Sequence, residues 1–205
     1  MPLVRYHSAR YPVSIVQKDK KMTIQEAQRE FRSVFLGGAV GQFVTGIVWL
    51  LSAALSSWVG QGAGIIALFV GGAFIFPLTQ LGLRLLGQKQ AVSAANPFSQ
   101  YFLHSVVAFG ATFVLVYAAM LYRTDWFYPA FMLATGAHYM AFIMFYGMNQ
   151  FGVLAGILIA AGIVLAMFVP GVFSIGAWFT GLLLISFSLV IWRTVVPQIS
   201  QPAPS

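Results

Sequence analysis

One histidine, His138, stands near the centre of the apolar stretch LATGAHYMAFIMFYGMNQF that runs from Leu133 to Phe151. Helical spacing places Thr135, His138 and Asn149 on one polar stripe among Phe131, Phe142 and Phe145. Three readings fit the imidazole: a neutral group hydrogen-bonded to a neighbouring helix, a proton-sensitive element of a switch or transport path, or a ligand to haem or metal. Two histidines can share one iron only at one depth. His104 opens the preceding apolar segment, and at about 1.5 Å of rise per residue it lies roughly 10 Å from the level of His138. The sequence therefore predicts no cofactor and no metal site.

The other polar groups inside apolar runs are Gln42, Thr45 and Ser52, then Thr79 and Gln80. Together, Gln42, Thr45, Thr79, Gln80, Thr135, His138 and Asn149 make a candidate intramembrane polar cluster, able to hydrogen-bond helix to helix or to line a narrow path. Pro77 predicts a kink, because it removes one bond of the helical ladder. Catalytic sets are missing from the sequence: it has no embedded carboxylate pair, no HExxH, no Gly-rich phosphate loop and no Ser-His-Asp set sharing a depth. Glu26 and Glu30 lie four apart among Arg29 and Arg32 and read as a solvated surface. No Asp, Glu, Lys or Arg falls near the middle of an apolar run, which argues against a proton-coupled pump.

The elements that carry these residues follow from composition. The chain has 205 residues, 60% hydrophobic and 7% charged, too few charges to wet the exterior of a soluble domain. It has no cysteine, which removes disulfides and thiol chemistry. The net charge of +7 is concentrated ahead of the first apolar run, where Arg5, Arg10, Lys18, Lys20, Lys21, Arg29 and Arg32 lie. That placement marks a flank facing anionic lipid, and nucleic acid is not expected as a partner.

Six runs approach the roughly 20 residues needed to cross a bilayer, near 34–58, 62–86, 101–122, 126–148, 151–169 and 171–195. The expected fold is all-α: a bundle of six transmembrane helices over 23–196, between a basic tail at 1–22 and a disordered tail at 197–205. Basic residues gather on the side of the two termini, while Arg123 on the other side is offset by Asp125, so both termini are expected in the cytoplasm. Thr23 and Glu26 fit a capping box and start a helix through Ile24, Ala27 and Phe31. That helix either lies on the inner leaflet or extends the first span through a bend at Gly37-Gly38. Tyr122, Trp126, Phe127 and Tyr128 read as an aromatic belt at the outer headgroups.

Small residues predict where helices approach closely: Gly37 and Gly41, Gly60 and Gly64, Gly152 and Gly156. With Ala160, the fifth-span face of Gly152 and Gly156 is also the candidate contact of a homo-oligomer. Faint glycine coincidences at shifts of 64 and 110 residues suggest three parallel in-out-in hairpins.

The segment FRSVFLGGAVGQFVTGIVWLLSAAL, followed by FVGGAFIFPLTQLGLRLLG, resembles the opening of an uncharacterised family of small bacterial multi-pass membrane proteins. The shared features are Gly41, Gly46 and Trp49 in the first span and Gly71, Gly72 and Pro77 in the second, covering about 60 residues after Arg29. The resemblance implies a bacterial inner-membrane protein and no particular activity. The six-span outline is also similar in architecture to acid-resistance membrane proteins. The expected function is non-enzymatic, structural or regulatory, with a link to stress as one form of that reading and membrane lipid as the partner. The alternatives are a small-solute transporter or channel with a polar path near spans one, two and four, and a haem- or lipid-related membrane enzyme.

Overall fold

The computed structural model describes residues 22–169 and 171–199, so the expectations for the basic tail and for residues 200–205 fall outside the described residues. All regular structure in them is helical. A short helix, α1 (Ile24–Val34), precedes six long ones, and a final turn of helix follows them. The long helices are α2 (Ala39–Trp58), α3 (Gln61–Leu85), α4 (Phe98–Tyr122), α5 (Phe127–Tyr146), α6 (Gln150–Phe168) and α7 (Ile175–Thr194). The last turn, α8 (Val196–Ile199), lies where the disordered tail was expected to begin. Five of these segments, containing α2, α3, α4, α6 and α7, are long and apolar enough to cross a membrane. Helix α5 is equally long but more polar, and most of its surface is covered by protein: Phe127, Tyr128, Phe131, Met132, Thr135, Tyr139 and Phe145 are all buried.

The predicted capping box is present. Glu26 N–H donates to Thr23 Oγ1 at 3.2 Å, and Thr23 N–H donates to the Glu26 carboxylate at 2.8 Å. The bend expected at Gly37-Gly38 is a full break, and α1 is packed against the bundle beyond it. Leu36, Gly37 and Gly38 take φ of 50°, 64° and 86°, left-handed conformations that end a right-handed helix. Two of the three being glycine keeps this reversal cheap, and Leu36 is held by packing against Val40 and Leu83. Beyond the break, the Ala27, Phe31 and Val34 face of α1 is buried, with Phe31 stacked 5.9 Å from Phe145 and edge-on to Phe98. Gln28 and Arg32 then donate to the carbonyls of Met144 and Tyr146, at 2.8 Å each, satisfying the last turn of α5.

Packing departs from three parallel hairpins. Helix α2 packs against both α3 and α7, and α5 against both α4 and α6, while α6 and α7 touch only lightly. The cause is the placement of small residues. Gly46 meets Gly181 and Ile185 where α2 crosses α7, and Gly136 and Gly162 meet Ala155, Ile159, Leu133 and Pro129 where α5 crosses α6. The result is two three-helix groups. Helices α2 and α5 run antiparallel at their junction, since Gly38 lies by Tyr146 and Trp49 by Tyr128 and Phe131. Each group, α3–α2–α7 or α6–α5–α4, thus sets one central helix between two packed neighbours, and the two central helices run in opposite directions.

Two further expectations change. Phe127 and Tyr128 are fully buried rather than interfacial, and the aromatic group at that end is Tyr122 with Trp126, over which Arg123 lies at 5.4 Å. Glu30 is not a solvated carboxylate. It accepts from Ser93 N–H and Asn96 Nδ2, both at 2.7 Å, and so fixes the loop of residues 86–97 against α1. Asn96 is itself buried and accepts from Phe98 N–H in the turn that leads into α4.

Candidate functional site

Because α3 and α4 do not pack closely on one another, a cavity of about 400 Å³ remains between α2, α3, α4 and α5. Its walls are mostly aromatic. Trp49 and Phe131 meet edge to face at 5.5 Å, and Phe69 on α3 reaches Phe113 on α4 at 5.6 Å, closing the end near Trp49. At the opposite end stand Phe35, Phe76 and Phe102, with Phe35 and Phe102 stacked at 5.9 Å. The side wall between α3 and α4 is thin. Gly72 and Gly110 both line it, and a side-chain carbon placed on either would meet nothing within 4 Å.

Five residues of the predicted cluster come together here: Gln42, Thr45, Thr79, Thr135 and His138 all line the cavity. Thr45 and Thr135 donate to carbonyls of their own helices, Gly41 and Phe131, and are satisfied. Gln42 is 3% exposed, and its Oε1, like Thr79 Oγ1, is buried with no hydrogen-bond partner. Unpaired polar atoms in an apolar enclosure are costly, by about 1–3 kcal/mol each, unless something completes them. Two predicted members lie elsewhere. Gln80 lines a separate cleft at the loop end of α3, and Asn149 is exposed in the turn before α6, because α5 stops at the left-handed Gly147 before the stripe reaches it. Pro77 lies inside α3, which is assigned as one helix from Gln61 to Leu85. The proline leaves the carbonyl of Ala73, a residue of the cavity wall, without its usual donor.

His138 is built into the aromatic wall. Its ring stacks on Phe109 at 4.6 Å and meets Phe142 edge to face at 5.0 Å, while its polar edge addresses the backbone of Ser105. It therefore reaches the depth of His104's own helical turn. The two imidazoles are separated by helix face: His104 is exposed beside Tyr101. Among the described residues no three His, Cys, Asp or Glu side chains converge to hold a metal ion.

Residues 24–194 match the family of unknown function DUF7010. The chain belongs to the DUF7010 family. The match covers all of the long helices of this DUF7010 protein, so the cavity lies wholly inside the family region. Comparison with curated proteins and with solved structures gave no match.

Sequence reasoning missed several contributors to the DUF7010 cavity. Tyr139 is buried with its hydroxyl by the side chains of Gln42 and Thr45, and Tyr146 sits under Gly38. A second buried polar centre lies beyond Trp49: Ser52 and Ser56 hydrogen-bond the Tyr128 hydroxyl at 2.7 and 2.5 Å, and Ser52 donates to the carbonyl of Gly64 at 2.8 Å. Ser52 was legible as an embedded polar residue; its tyrosine partner was hidden in what read as an interfacial belt. The small-residue face of α6 divides. Gly152 packs on Ile143 within the chain, whereas Gly156 and Ala160 are exposed.

Proposed function

We propose that this protein is a non-enzymatic, six-span protein of a bacterial inner membrane that holds the apolar part of a small molecule, drawn from the bilayer, in the cavity between α2, α3, α4 and α5. The observation that carries this reading is a cavity of about 400 Å³, walled by aromatic rings, retaining unpaired polar atoms and thinly closed at Gly72 and Gly110. Its polar lining consists of amide, hydroxyl and imidazole groups without a carboxylate, which suits binding better than acid–base turnover. The proposal counts α5 as the sixth span. That helix has 20 residues and no charge, and its tyrosines, histidine and threonine are sheltered by its neighbours. Arg29, Arg32, Arg84, Lys89 and Arg193 lie towards one end of the helices and Arg123 at the other, which supports both termini in the cytoplasm.

The test uses a protein in which Trp49 is the sole tryptophan, the other four being replaced by phenylalanine, reconstituted in phosphatidylcholine with brominated acyl chains. Trp49 is 1% exposed, so bulk lipid cannot touch it. Quenching of its fluorescence, abolished by Gly110→Phe, is the expected result. Unquenched Trp49 overturns the reading.

A second reading, transport of a small solute, is favoured by the antiparallel repetition of the two three-helix groups, an arrangement many carriers share. It predicts vesicle flux that falls with Gln42→Ala and His138→Ala; flux indifferent to both removes these residues from any path.

A further inference from the structure

The cavity does not end at Phe35, Phe76 and Phe102. The same three rings line a second cleft, about 730 Å³, formed by the end of α3, the loop of residues 86–97 and the start of α4. The chemistry changes across this aromatic collar. On the cleft side the walls carry Gln80, Arg84, Gln88, Lys89 and Ser99, a set of hydrogen-bond donors and two cations without a carboxylate. The ion pair among the described residues is Arg123–Asp125, far from this cleft, so nothing described neutralises Arg84 or Lys89. Glu30, the carboxylate bonded to this loop, is engaged by Ser93 and Asn96 and serves to hold the loop that carries Lys89.

Resting on the ligand-holding reading above, we infer that the occupant is an anionic membrane phospholipid, its phosphate in the cleft at Arg84 and Lys89 and an acyl chain in the aromatic cavity. Three observations fit this occupant together. Length is the first: the cavity runs along α2 from Gly38 to Trp49, along α3 from Leu68 to Thr79 and along α4 from Phe102 to Phe113. At about 1.5 Å per residue each stretch is roughly 16 Å, close to one leaflet of a hydrocarbon core ~30 Å thick. Entry is the second: the thin wall at Gly72 and Gly110 faces the lipid side of two peripheral helices, so a chain enters sideways without leaving the bilayer. Polarity is the third. The unpaired Thr79 hydroxyl adjoins Gln80 of the cleft, at the level between phosphate and chain where ester carbonyls accept hydrogen bonds. A purely apolar ligand would leave Arg84, Lys89 and Thr79 unused, and a free phosphate would leave the cavity unfilled.

The protein carrying Trp49 alone separates this inference from the reading beneath it. In phosphatidylcholine bilayers, brominated phosphatidylglycerol is titrated in one arm and brominated phosphatidylcholine in the other. Two cations on one phosphate predict half-maximal quenching at roughly tenfold less phosphatidylglycerol, and Arg84→Gln with Lys89→Gln should bring the arms to within about twofold while keeping Trp49 quenchable. Equal quenching by both lipids in the protein with Arg84 and Lys89 intact overturns the headgroup assignment alone. Failure of either lipid to quench overturns the cavity reading as well. Native mass spectrometry of the unsubstituted protein, released from bilayers of equal phosphatidylglycerol and phosphatidylcholine, reports independently of the tryptophan replacements. Retained phosphatidylglycerol supports the inference, and equal retention of both refutes it.

Discussion

The Arg32 guanidinium donates to the carbonyl oxygen of Tyr146 at 2.8 Å, joining residues 114 positions apart and closing the end of α5 with a side chain from α1. Tyr146 also lines the cavity, so the bond ties the amphipathic α1 to the wall of the site. Burial and the nearby Arg29 lower the Arg32 pKa, yet an arginine stays charged at any physiological pH. The bond is charge-assisted and lies at a helix C-terminus, where a cation is favourable. Arg32→Ala should therefore lower stability by about 1.5–3 kcal/mol, read as a fall in thermal midpoint in detergent. A midpoint equal to that of the unsubstituted protein would show α1 to be an ornament on the bundle.

Gly64 and Gly62 provide a matched pair. A side-chain carbon on Gly64 would collide with Ser56 Oγ and sit 2.7 Å from the Tyr128 hydroxyl, whereas on Gly62 it would meet open space. Gly64→Ala should cost about 1–3 kcal/mol by forcing the Ser52–Ser56–Tyr128 centre apart, and Gly62→Ala should be close to neutral. Comparing their thermal midpoints checks the geometry where α2, α3 and α5 meet.

Thr180 and Ser188 lie on α7, the helix packed against α2, and make opposite predictions. Thr180 is fully buried with its hydroxyl unpaired, so Thr180→Val, which keeps the shape, should raise stability by about 1–3 kcal/mol. Ser188 donates to the carbonyl of Ala39 at 2.8 Å, and Ser188→Ala should lower stability by about 1 kcal/mol. Denaturation of both variants in one detergent gives the two signs directly.

At the far end, the hydrogen bond from Arg123 holds the Asp125 carboxyl below its ordinary pKa, with further help from the charge of Arg123 and the backbone of Gly171. A depressed acid contributes stability above its unfolded-state pKa, and that contribution disappears as pH falls through the folded-state value. Solvent screens this exposed pair, so the effect is small. Asp125→Asn should flatten the acid side of the stability profile and leave the neutral region nearly unchanged. Identical acid limbs in the two proteins would refute the coupling.

Much of this architecture follows from local chemistry. Long apolar runs can satisfy their backbone in lipid only as helices, so the all-helical character of the chain was legible, as were the capping box and the bend at Gly37-Gly38. Five of the seven cluster residues were also legible, because a polar side chain inside an apolar helix needs protein or ligand beside it.

What the chain order could not convey is which helices face each other. Glycine pairs such as Gly46 with Gly181 act between segments far apart in sequence, and they draw α7 to α2 and α6 to α5. That choice leaves α3 and α4 apart, creates the cavity, buries Tyr128 and Tyr139, and strands Asn149 and Gln80 outside it. Hydropathy reports how each helix meets its solvent; close backbone approach, summed over the whole bundle, decides where the empty space falls.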